Sequence, residues 1–403
     1  MKESGFKEVT RVAAARDRLV EAVRPVTGTT SLPLTDASGR VIAEDVRAAR
    51  DVPHYARAAM DGYAVRAEDT FGASDRSPAV LRERERGEAG GPEAAVPVHT
   101  GSELPDGTDA VVMIEETDRF AGEVEVFDAV AEGENVAPPG EDVTEGEHLY
   151  EAGHQLRPSD LGLLKSTGVG RVDCYDRPTV GVVPTGEELV QSEPKPGEVV
   201  ETNGLTVAGL VGRWGGRANY RNVVTDDRAA LRAAIQRDLT KDLVVTTGGS
   251  SVGERDLIPE VVEELGEVLV HGVALKPGHP FGFGIVEETP ILMLPGYPVA
   301  CIVNAVQFLR PALKAAGRMP CEPFPTTQAR LTRKIPSSPG ERTFARVRLE
   351  EEDGETVAVP TRASGSGVLS SVALADGWVV VEEDVEGLVE GATVAVQNWE
   401  YHV

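Results

Sequence analysis

The sequence predicts a multidomain protein of the α/β plus β class, and three observations support this. Strand-like and helix-like segments alternate over residues 178–318, which indicates a mostly parallel sheet covered by helices. Short apolar segments separated by Gly, Pro and Asp fill 26–148 and 321–403, a pattern typical of β structure. A chain of 403 residues is also longer than one hydrophobic core usually organises.

These patterns predict four domains. An N-terminal helix is grouped with a connector (8–25 plus 149–177), and a β-rich domain (26–148), an α/β domain (178–318) and a C-terminal β domain (321–403) complete the chain. In the helix, apolar residues recur at helical spacing and Pro25 ends the run; they are Val9, Val12, Ala13, Leu19, Val20 and Val23.

The remaining elements follow in chain order. The expected strands of the first β domain are 31–35, 40–46, 110–116 and 123–130, whereas 75–95 has little pattern and is expected to be a loop or a mobile edge. In the α/β domain we expect strands at 179–185, 219–224, 242–247, 267–275 and 290–295, and helices at 202–214, 226–239, 256–265 and 298–316. The C-terminal strands are expected at 329–336, 343–351, 356–361, 377–384 and 392–398.

Composition restricts the class of function. The formal charge of -26 and the pI near 4.7 argue against a nucleic-acid surface, which needs a basic stripe, and suit a high-salt cytoplasm. Cys174, Cys301 and Cys321 are far apart, so neither a disulfide framework nor a cysteine metal site is indicated. No signal peptide or membrane span is recognisable, and we expect a cytoplasmic protein without a membrane partner.

The segment 248–256, GGSSVGERD, lies between an expected strand and an expected helix. Gly248, Gly249 and Gly253 would let the backbone approach a phosphate, and Ser250 and Ser251 add hydroxyl donors. The segment lacks the Gly-Lys-Ser/Thr ending of a Walker A loop and the Gly-x-Gly-x-x-Gly of a dinucleotide site. It therefore predicts a phosphate site of another kind.

Four Gly- or Pro-rich loops, 184–189, 246–256, 275–280 and 294–300, follow expected strands of the same domain. Because strand ends of a parallel sheet share one edge, they predict one site for a phosphorylated ligand, with Lys276 as a cation. Glu188, Asp226 and Asp256 could hold a divalent metal there. For Asp226 and Asp256, capping of the following helix is an equal alternative.

A second candidate is 58–65, AAMDGYAV, in which Asp61 and Gly62 form a turn pair within an apolar segment. A plain hairpin corner would explain this pair equally well. With 99–112 in the same domain, it could instead form a second acid- and hydroxyl-lined edge that faces the phosphate site of another domain or subunit.

The motifs resemble, in order along nearly the whole chain, those of the molybdopterin molybdenumtransferases (the MoeA family), to which the E domain of gephyrin is also similar. The matching strings are AAMDGYAV, TGSELPDGTDAVVMIEE, PPGEDV, VPTGEEL with TNG, TTGGSSVGERD, LKPGHPFGFG, LPGYPVA and SGSGVLSS. The resemblance implies an enzyme that takes adenylylated molybdopterin and molybdate, cleaves the adenylate with a divalent metal, usually Mg²⁺, and releases molybdenum cofactor and AMP.

The resemblance also implies roles for individual residues. Those linked to metal, molybdate or adenylate handling are Asp61, Thr100, Glu188, Asp226 and Asp256, with Lys276 in the anion pocket and Asp142 in a lesser role. Pro295, Gly296 and Pro298 match the pocket's molybdopterin and phosphate contacts, and Arg346 and Ser366 are expected to bind molybdate. His279 and Gly272 stand where the family can have Lys, and Tyr297 where Asn is usual; fewer cations would weaken anion binding unless Arg residues or high salt compensate.

The expected assembly, again by resemblance, is an elongated homodimer with a barrel-like C-terminal domain, in which AAMDGYAV of one subunit completes the α/β site of the other. A molybdopterin adenylyltransferase would deliver the substrate, and molybdoenzymes would accept the product. Two alternatives stay open: the adenylyltransferase reaction itself, which uses the same α/β domain, and a non-catalytic scaffold like the gephyrin E domain. Tungstate is a possible alternative to molybdate.

Overall fold

A computed structural model describes residues 9–248, 257–361 and 366–401 of the chain. The chain separates into two compact units: Ser31–Cys174 forms one, and Met1–Thr30 together with Tyr175–Val403 forms the other. Some of the predicted site residues lie outside the described residues, namely Gly249, Ser250, Ser251, Gly253 and Asp256.

The helices agree with the expected order except for the last one, which lies in the C-terminal part where only strands were expected. They are α1 (Val12–Ala22), α2 (Pro158–Ser166), α3 (Asn203–Arg213), α4 (Arg228–Asp238), α5 (Leu257–Leu265), α6 (Pro298–Asn304), α7 (Arg310–Ala316) and α8 (Ser370–Ala373). A π-helical turn, Ala305–Leu309, joins α6 to α7. In α1 the buried face is Val12, Ala15 and Leu19, whereas Val9 and Ala13 of the expected apolar stripe are exposed.

The strands are mostly short. Those up to Tyr175 are β1 (Thr29–Pro33), β2 (Val46–Arg47), β3 (Arg57–Ala58), β4 (Gly62–Val65), β5 (Ala79–Glu83), β6 (Ala94–Val98), β7 (Ala110–Met113), β8 (Thr117–Phe120), β9 (Glu123–Val126), β10 (Val136–Ala137), β11 (His148–Tyr150) and β12 (Arg171–Tyr175). The α/β part contains β13 (Thr179–Pro184), β14 (Leu189–Val190), β15 (Val199–Val200), β16 (Arg217–Tyr220), β17 (Leu243–Thr247), β18 (Glu267–His271), β19 (Leu275–Lys276), β20 (Gly282–Val286) and β21 (Thr289–Leu294). The C-terminal strands are β22 (Thr326–Leu331), β23 (Ile335–Pro336), β24 (Arg342–Glu352), β25 (Glu355–Pro360), β26 (Gly377–Val381), β27 (Gly387–Leu388) and β28 (Thr393–Gln397).

The expected parallel sheet is present, with strand order β16-β13-β17-β21-β20-β18. The first four of these strands pair in parallel, and β20 and β18 pair antiparallel at one edge. β17 and β21 are buried along their whole length, as expected for strands covered by helices on both faces. β20 was not among the expected strands because its Gly-rich sequence predicts turns.

Side chains of this sheet alternate between two cores, which explains why the apolar runs are continuous. Val182, Val245 and Leu292 belong to the larger core, which also takes in α1, α3, α6 and α7. Val183 and Val244 face the smaller core, which α4 and α5 cover. The two cores hold the sheet between two layers of helices. The loops therefore project from the ends of the strands.

The helical run Pro298–Ala316 contradicts the expectation that no segment resembles a membrane span. By length and composition it is the one helix in the described part of the chain that could cross a bilayer. However, 72% of the apolar window is buried inside the protein, where its residues form part of the larger core. Packing against the sheet therefore accounts for its apolar sequence.

The C-terminal strands form the closed barrel that was predicted. Its circle runs β24-β25-β22-β28-β26 and closes through a β24–β26 pairing. Inward residues such as Leu331, Val347 and Val396 fill it. β19 of the α/β part adds to this sheet, parallel to β24, with Leu275 opposite Arg342 and Lys276 opposite Thr343.

The unit Ser31–Cys174 contains a sheet with strand order β7-β4-β6-β5-β9-β8. Gly62 lies in β4 between two partner strands, and a Cβ atom at this position would be 1.9 Å from the carbonyl oxygen of Val112. Only glycine therefore fits at position 62, where β4 lies between β6 and β7. The segment 75–95 was expected to be a loop, but it contains β5, which pairs with β9 and β6.

A buried carboxylate holds the start of α2. Asp160 is 2% exposed and accepts hydrogen bonds from the backbone N–H of Arg157 (2.8 Å) and from Nη2 of the same residue (2.8 Å). The ring of His154 lies 2.7 Å away through Nε2. Burial would raise the pKa of Asp160, but the hydrogen bonds from Arg157 and His154 outweigh it and hold the pKa well below its usual range.

Because the folded-state pKa of Asp160 is lowered, its stabilisation is present above the unfolded pKa of about 4 and is lost as the pH falls through the folded value. We expect Asp160→Asn to lower the free energy of unfolding by about 2 kcal/mol at pH 7, and by less as the pH falls below about 4. Urea unfolding of the full chain, followed by hydrogen exchange of the α2 amides, measures this. Asp75→Asn, at an exposed position, is the control. If the α2 amides exchange equally slowly in both variants at pH 7, Asp160 does not stabilise the start of α2.

Candidate functional site

A cleft of about 1530 Å³ lies between the α/β part and the barrel. One wall comes from the loops that follow β13, β17 and β21, all at the carboxyl ends of parallel strands. The other wall comes from the barrel, through the segment before β23, through β24 and through the segment after β25. The edge that the sequence predicted is therefore the edge at which the cleft opens.

The cleft brings together many of the predicted site residues. Those that line it are Glu188, Gly248, Lys276, Pro295, Gly296, Pro298, Arg346 and Ser366. Asp226 is not among the lining residues, and Asp61, Thr100 and Asp142 belong to the unit Ser31–Cys174.

Gly248 lies where the three strand-end loops meet. Its φ is +129°, and a Cβ atom there would lie 2.3 Å from the carbonyl oxygen of Thr185. Its N–H donates to the carbonyl oxygen of Leu294 (3.0 Å), and a Cβ atom on Gly296 would lie 3.4 Å from its Cα. Only glycine satisfies both the backbone conformation and the available space.

Two buried hydroxyls lie beside Gly248. Thr185 and Thr247 are 2% and 1% exposed, line the cleft, and have no hydrogen-bond partner for Oγ1 among the described residues. A buried hydroxyl without a partner is costly, and such groups are found where a ligand or water completes the bonding. The floor of the cleft therefore offers polar oxygens to a bound ligand.

The loop that carries Lys276 is held from both sides. β19 joins it to the barrel strand β24. On the other side, the buried amide of Asn304 donates from Nδ2 to the carbonyl oxygens of Gly278 (3.0 Å) and Ala300 (2.8 Å). The same Nδ2 would lie 2.2 Å from a Cβ atom on Gly278, so glycine is required for this contact. Lys276 itself remains exposed at the cleft.

The barrel wall is basic. Arg346 on β24 is half-buried, and burial lowers its pKa, although an arginine remains charged at neutral pH. Arg333 and Lys334, in the turn between β22 and β23, also line the cleft. Sequence reasoning missed these two because the turn has no motif. Both lie inside the expected strand 329–336, and the nearest signal was the pair of adjacent cations in that segment.

The opposite wall contains two acids in different states. Glu188 and Glu201 both line the cleft, but Glu188 is exposed, whereas Glu201 is only 5% exposed and accepts hydrogen bonds from the N–H of Gly204 (2.6 Å) and from the hydroxyl of Tyr220. Burial and the bond to Glu201 raise the pKa of Tyr220 to about 12. Both carboxylate oxygens of Glu201 therefore accept hydrogen bonds within the wall, whereas Glu188 is the exposed acid of the cleft.

The predicted metal ligands are only partly brought together. Within 9–248, 257–361 and 366–401, no three His, Cys, Asp or Glu side chains form a group that could hold a metal. Asp256 lies outside those residues, and only Glu188 of the predicted three lines the cleft. The capping alternative for Asp226 is wrong, because Asp227 caps α4 by accepting from the N–H of Ala230 (2.8 Å).

In the other unit, Asp61 and Thr100 form a local pair. Asp61 precedes β4 and Thr100 follows β6, and the antiparallel register of these strands places Gly62 opposite Val98. Oδ1 of Asp61 consequently accepts from the N–H (2.7 Å) and the hydroxyl (2.9 Å) of Thr100. The backbone hydrogen bond from Thr100 has the largest effect and the hydroxyl bond the next, and together they lower the pKa of Asp61.

Three family models match the chain in succession. They describe the MoeA N-terminal region (domains I and II) over residues 10–168, a probable molybdopterin-binding domain over 181–315, and the MoeA C-terminal region (domain IV) over 328–399. A putative molybdopterin biosynthesis protein of Methanocaldococcus jannaschii is 38% identical over 90% of each chain. The chain belongs to the MoeA family.

Further relatives agree with this assignment. A molybdopterin molybdenumtransferase of Haemophilus influenzae is 32% identical over 96% of this chain and 98% of its own. The crystal structure of a molybdopterin biosynthesis MoeA protein from Pyrococcus horikosii has a TM-score of 0.83 and 35% identity, and covers 98% of this chain and 100% of that one. The MoeA resemblance drawn from the motifs is thereby confirmed.

Two of the three departures from the usual MoeA motifs lie in the cleft. His279 and Tyr297 both line the cleft, whereas Gly272 does not and has a φ of +100°, a conformation in which a lysine would be strained. Arg333 and Lys334 add positive charge from the barrel wall. The cleft of this MoeA protein is therefore more cationic than its strand-end motifs alone predict.

We expect Thr100→Val to raise the pKa of Asp61 toward its ordinary value, because the hydroxyl bond is lost while the backbone N–H bond remains. The measurement is a carboxyl ¹³C NMR titration, with Thr332→Val in the barrel as the control substitution. An unchanged titration of Asp61 in a folded Thr100→Val protein would mean that the hydroxyl bond has no effect.

Proposed function

We propose that this MoeA protein is a molybdopterin molybdenumtransferase that inserts molybdate into adenylylated molybdopterin and releases AMP. The observation that carries the proposal is the composition of the cleft. Lys276, Arg346 and the turn of Arg333 and Lys334 face the Gly248 edge, so an acidic protein presents concentrated positive charge at one place. Such a site suits a ligand with several phosphates and a tetrahedral oxyanion.

The chemistry needs little covalent participation by the protein. Water attacks the molybdopterin-side phosphorus of the phosphoanhydride and forms a new P–O bond there. The bond from this phosphorus to the bridging oxygen breaks, its electron pair stays on the AMP phosphate, and a proton of the attacking water passes to solvent. The rate then depends on neutralising the oxygens that gain charge. Lys276 and the N–H groups near Gly248 would hold the phosphates, and Arg346 with Ser366 would hold molybdate beside them.

The proposal includes a divalent metal, most simply Mg²⁺. The oxygen donors fit a hard cation, because Glu188 and the hydroxyls of Thr185 and Thr247 share the cleft. Glu188 would be its ligand from the described residues, with Asp226 and Asp256 as the further candidates. When bound, the ion would supply charge neutralisation at the phosphate oxygens.

The proposal also covers the location, the assembly and the partner proteins of this chain. We place the protein in the cytoplasm as a homodimer in which Asp61 and Thr100 of one subunit serve the cleft of the other. A molybdopterin adenylyltransferase would supply the substrate and molybdoenzymes would take the product. The Asp61–Thr100 pair suits this role, because two hydrogen bonds from Thr100 hold the exposed, ionised carboxylate of Asp61 in one position, where it can contact a cation.

The alternatives are weaker on specific grounds. Regions matching the MoeA N-terminal and C-terminal models flank the α/β domain, and that domain is the part expected of an adenylyltransferase. A scaffold has no need for Lys276, Arg346 and Glu188 to converge on one open cleft. The choice between molybdate and tungstate is left to the assay.

The decisive experiment incubates the purified protein with adenylylated molybdopterin, Mg²⁺ and either molybdate or tungstate, and follows AMP release and cofactor formation. A parallel reaction contains molybdopterin and ATP. AMP release that requires the oxyanion supports the proposal, whereas consumption of ATP with formation of adenylylated molybdopterin would identify the adenylyltransferase. Neither reaction in folded protein would favour the scaffold.

We expect Lys276→Met to slow AMP release about 10- to 100-fold, because it removes one charged contact worth about 1.5–3 kcal/mol. Lys165→Met, an exposed lysine at the end of α2, is the matched control and should retain the wild-type rate. If both variants release AMP at the wild-type rate, Lys276 has no role in the reaction.

We expect Asp256→Ala to abolish AMP release without unfolding the protein, because it removes a proposed metal ligand. Glu267→Ala, at an exposed position of β18, is the control. Titration with Mg²⁺ provides a second readout: a partial defect that high Mg²⁺ restores would support a ligand role. Wild-type AMP release by Asp256→Ala at low Mg²⁺ would remove Asp256 from the mechanism.

A further inference from the structure

Tyr297 is an exposed aromatic side chain that lines the cleft. It is 65% exposed and lies beside Gly296 and Pro298. An aromatic side chain that stays mostly exposed in a cleft offers apolar surface and a ring face to a bound ligand. Neither the phosphate contacts nor the oxyanion contacts proposed above use this ring.

The loop around Tyr297 is rigid. Pro298 follows it at the first position of α6, which restricts Tyr297 to extended backbone, and its φ and ψ are -77° and 128°. The carbonyl oxygen of Tyr297 accepts from the N–H of Cys301 (2.8 Å), and that of Gly296 accepts from Nδ2 of Asn203 (2.7 Å). The backbone that carries the ring is therefore already ordered before a ligand binds.

One side of the ring is supported by the barrel. A Cβ atom on Gly367 would lie 3.4 Å from Cδ1 and 3.7 Å from Cε1 of Tyr297, so the Gly367 backbone approaches the ring closely. The adjacent Ser366 is fixed in turn, because its carbonyl oxygen accepts from the N–H of Val299 (2.9 Å). Since the ring is still mostly exposed, another part of its surface is open to the cleft.

The open ring lies next to the phosphate edge. Gly296, its neighbour in sequence, approaches Gly248 so closely that a Cβ atom on Gly296 would be 3.4 Å from the Gly248 Cα. Lys276 and Arg346 line the same cleft. A ligand held here by phosphate could therefore lay a flat ring against Tyr297.

We propose that Tyr297 is a stacking platform for the planar heteroaromatic ring of a phosphate-bearing ligand. The inference rests on the proposed function, which supplies two rings of this chemistry, the adenine of the adenylate and the pterin. Stacking of a base on an aromatic side chain contributes about 1–3 kcal/mol, which corresponds to about 5- to 150-fold in the dissociation constant. Tyr297 would then set the affinity for ring-bearing ligands and not the chemical step.

The test compares Tyr297→Ala, Tyr297→Phe and the wild-type protein by calorimetry with AMP, molybdopterin and ribose 5-phosphate. Tyr401→Ala, an exposed aromatic outside the cleft, is the matched control, and thermal unfolding verifies that each variant folds. We expect Tyr297→Ala to weaken at least one ring-bearing ligand by 5-fold or more, Tyr297→Phe to bind like wild type, and ribose 5-phosphate to be unaffected. Loss of AMP binding identifies adenine as the stacked ring, and loss of molybdopterin binding identifies the pterin.

A spectroscopic readout separates stacking from a general change of the cleft. A stacked ring loses absorbance in its own near-ultraviolet band, and this hypochromism should disappear in Tyr297→Ala and persist in Tyr297→Phe. If folded Tyr297→Ala binds AMP and molybdopterin as tightly as wild type, the stacking proposal is overturned while the proposed function stands. If the wild-type protein binds neither ligand nor adenylylated molybdopterin, both are overturned.

Discussion

The close approach of Gly248 to the end of β13 is the constraint on which the cleft depends. The carbonyl oxygen of Thr185 occupies the space a side chain would need, and the N–H of Gly248 is bonded to the last residue of β21. Three parallel strands are thereby drawn to one point, and their following loops share one edge. A larger residue at 248 would have to move either the Thr185 backbone or the LPGYP loop, and both line the cleft.

The cations of the cleft come from two domains, the α/β part and the barrel, which meet where β19 pairs with β24. β19 leaves the α/β part and pairs with β24, so Lys276 comes from one domain and Arg346 from the next while both face the same ligand space. The net charge of -26 makes this local concentration of cations more significant, because the remaining surface repels anions. Glu188 lies on the α/β wall, opposite the basic barrel wall. Negative charge on one wall favours a bound cation, and positive charge on the other favours oxyanions.

Much of the fold follows from local sequence patterns. The continuous apolar runs of β17 and β21 predicted buried parallel strands, and the short C-terminal segments predicted a β domain, whose barrel-like closure was expected from the family resemblance. β5 and β20 were missed, because charged residues in one and glycines in the other conceal the strand pattern, and pairing with neighbours decides both. Asp227, not Asp226, caps α4, a difference of one residue that propensity cannot resolve.

By itself the sequence determined the family, the α/β plus β class and the strand-end loops, because glycine, proline and apolar periodicity act over a few residues. Only the tertiary structure decided which side chains share a cleft. Arg333 and Lys334 join Lys276 because a barrel closes far along the chain, and Gly272 is excluded because its backbone turns inside the protein. Asp61 and Thr100 likewise become one pair through the register of β4 and β6. Such contacts depend on how distant segments pack, which no local pattern specifies.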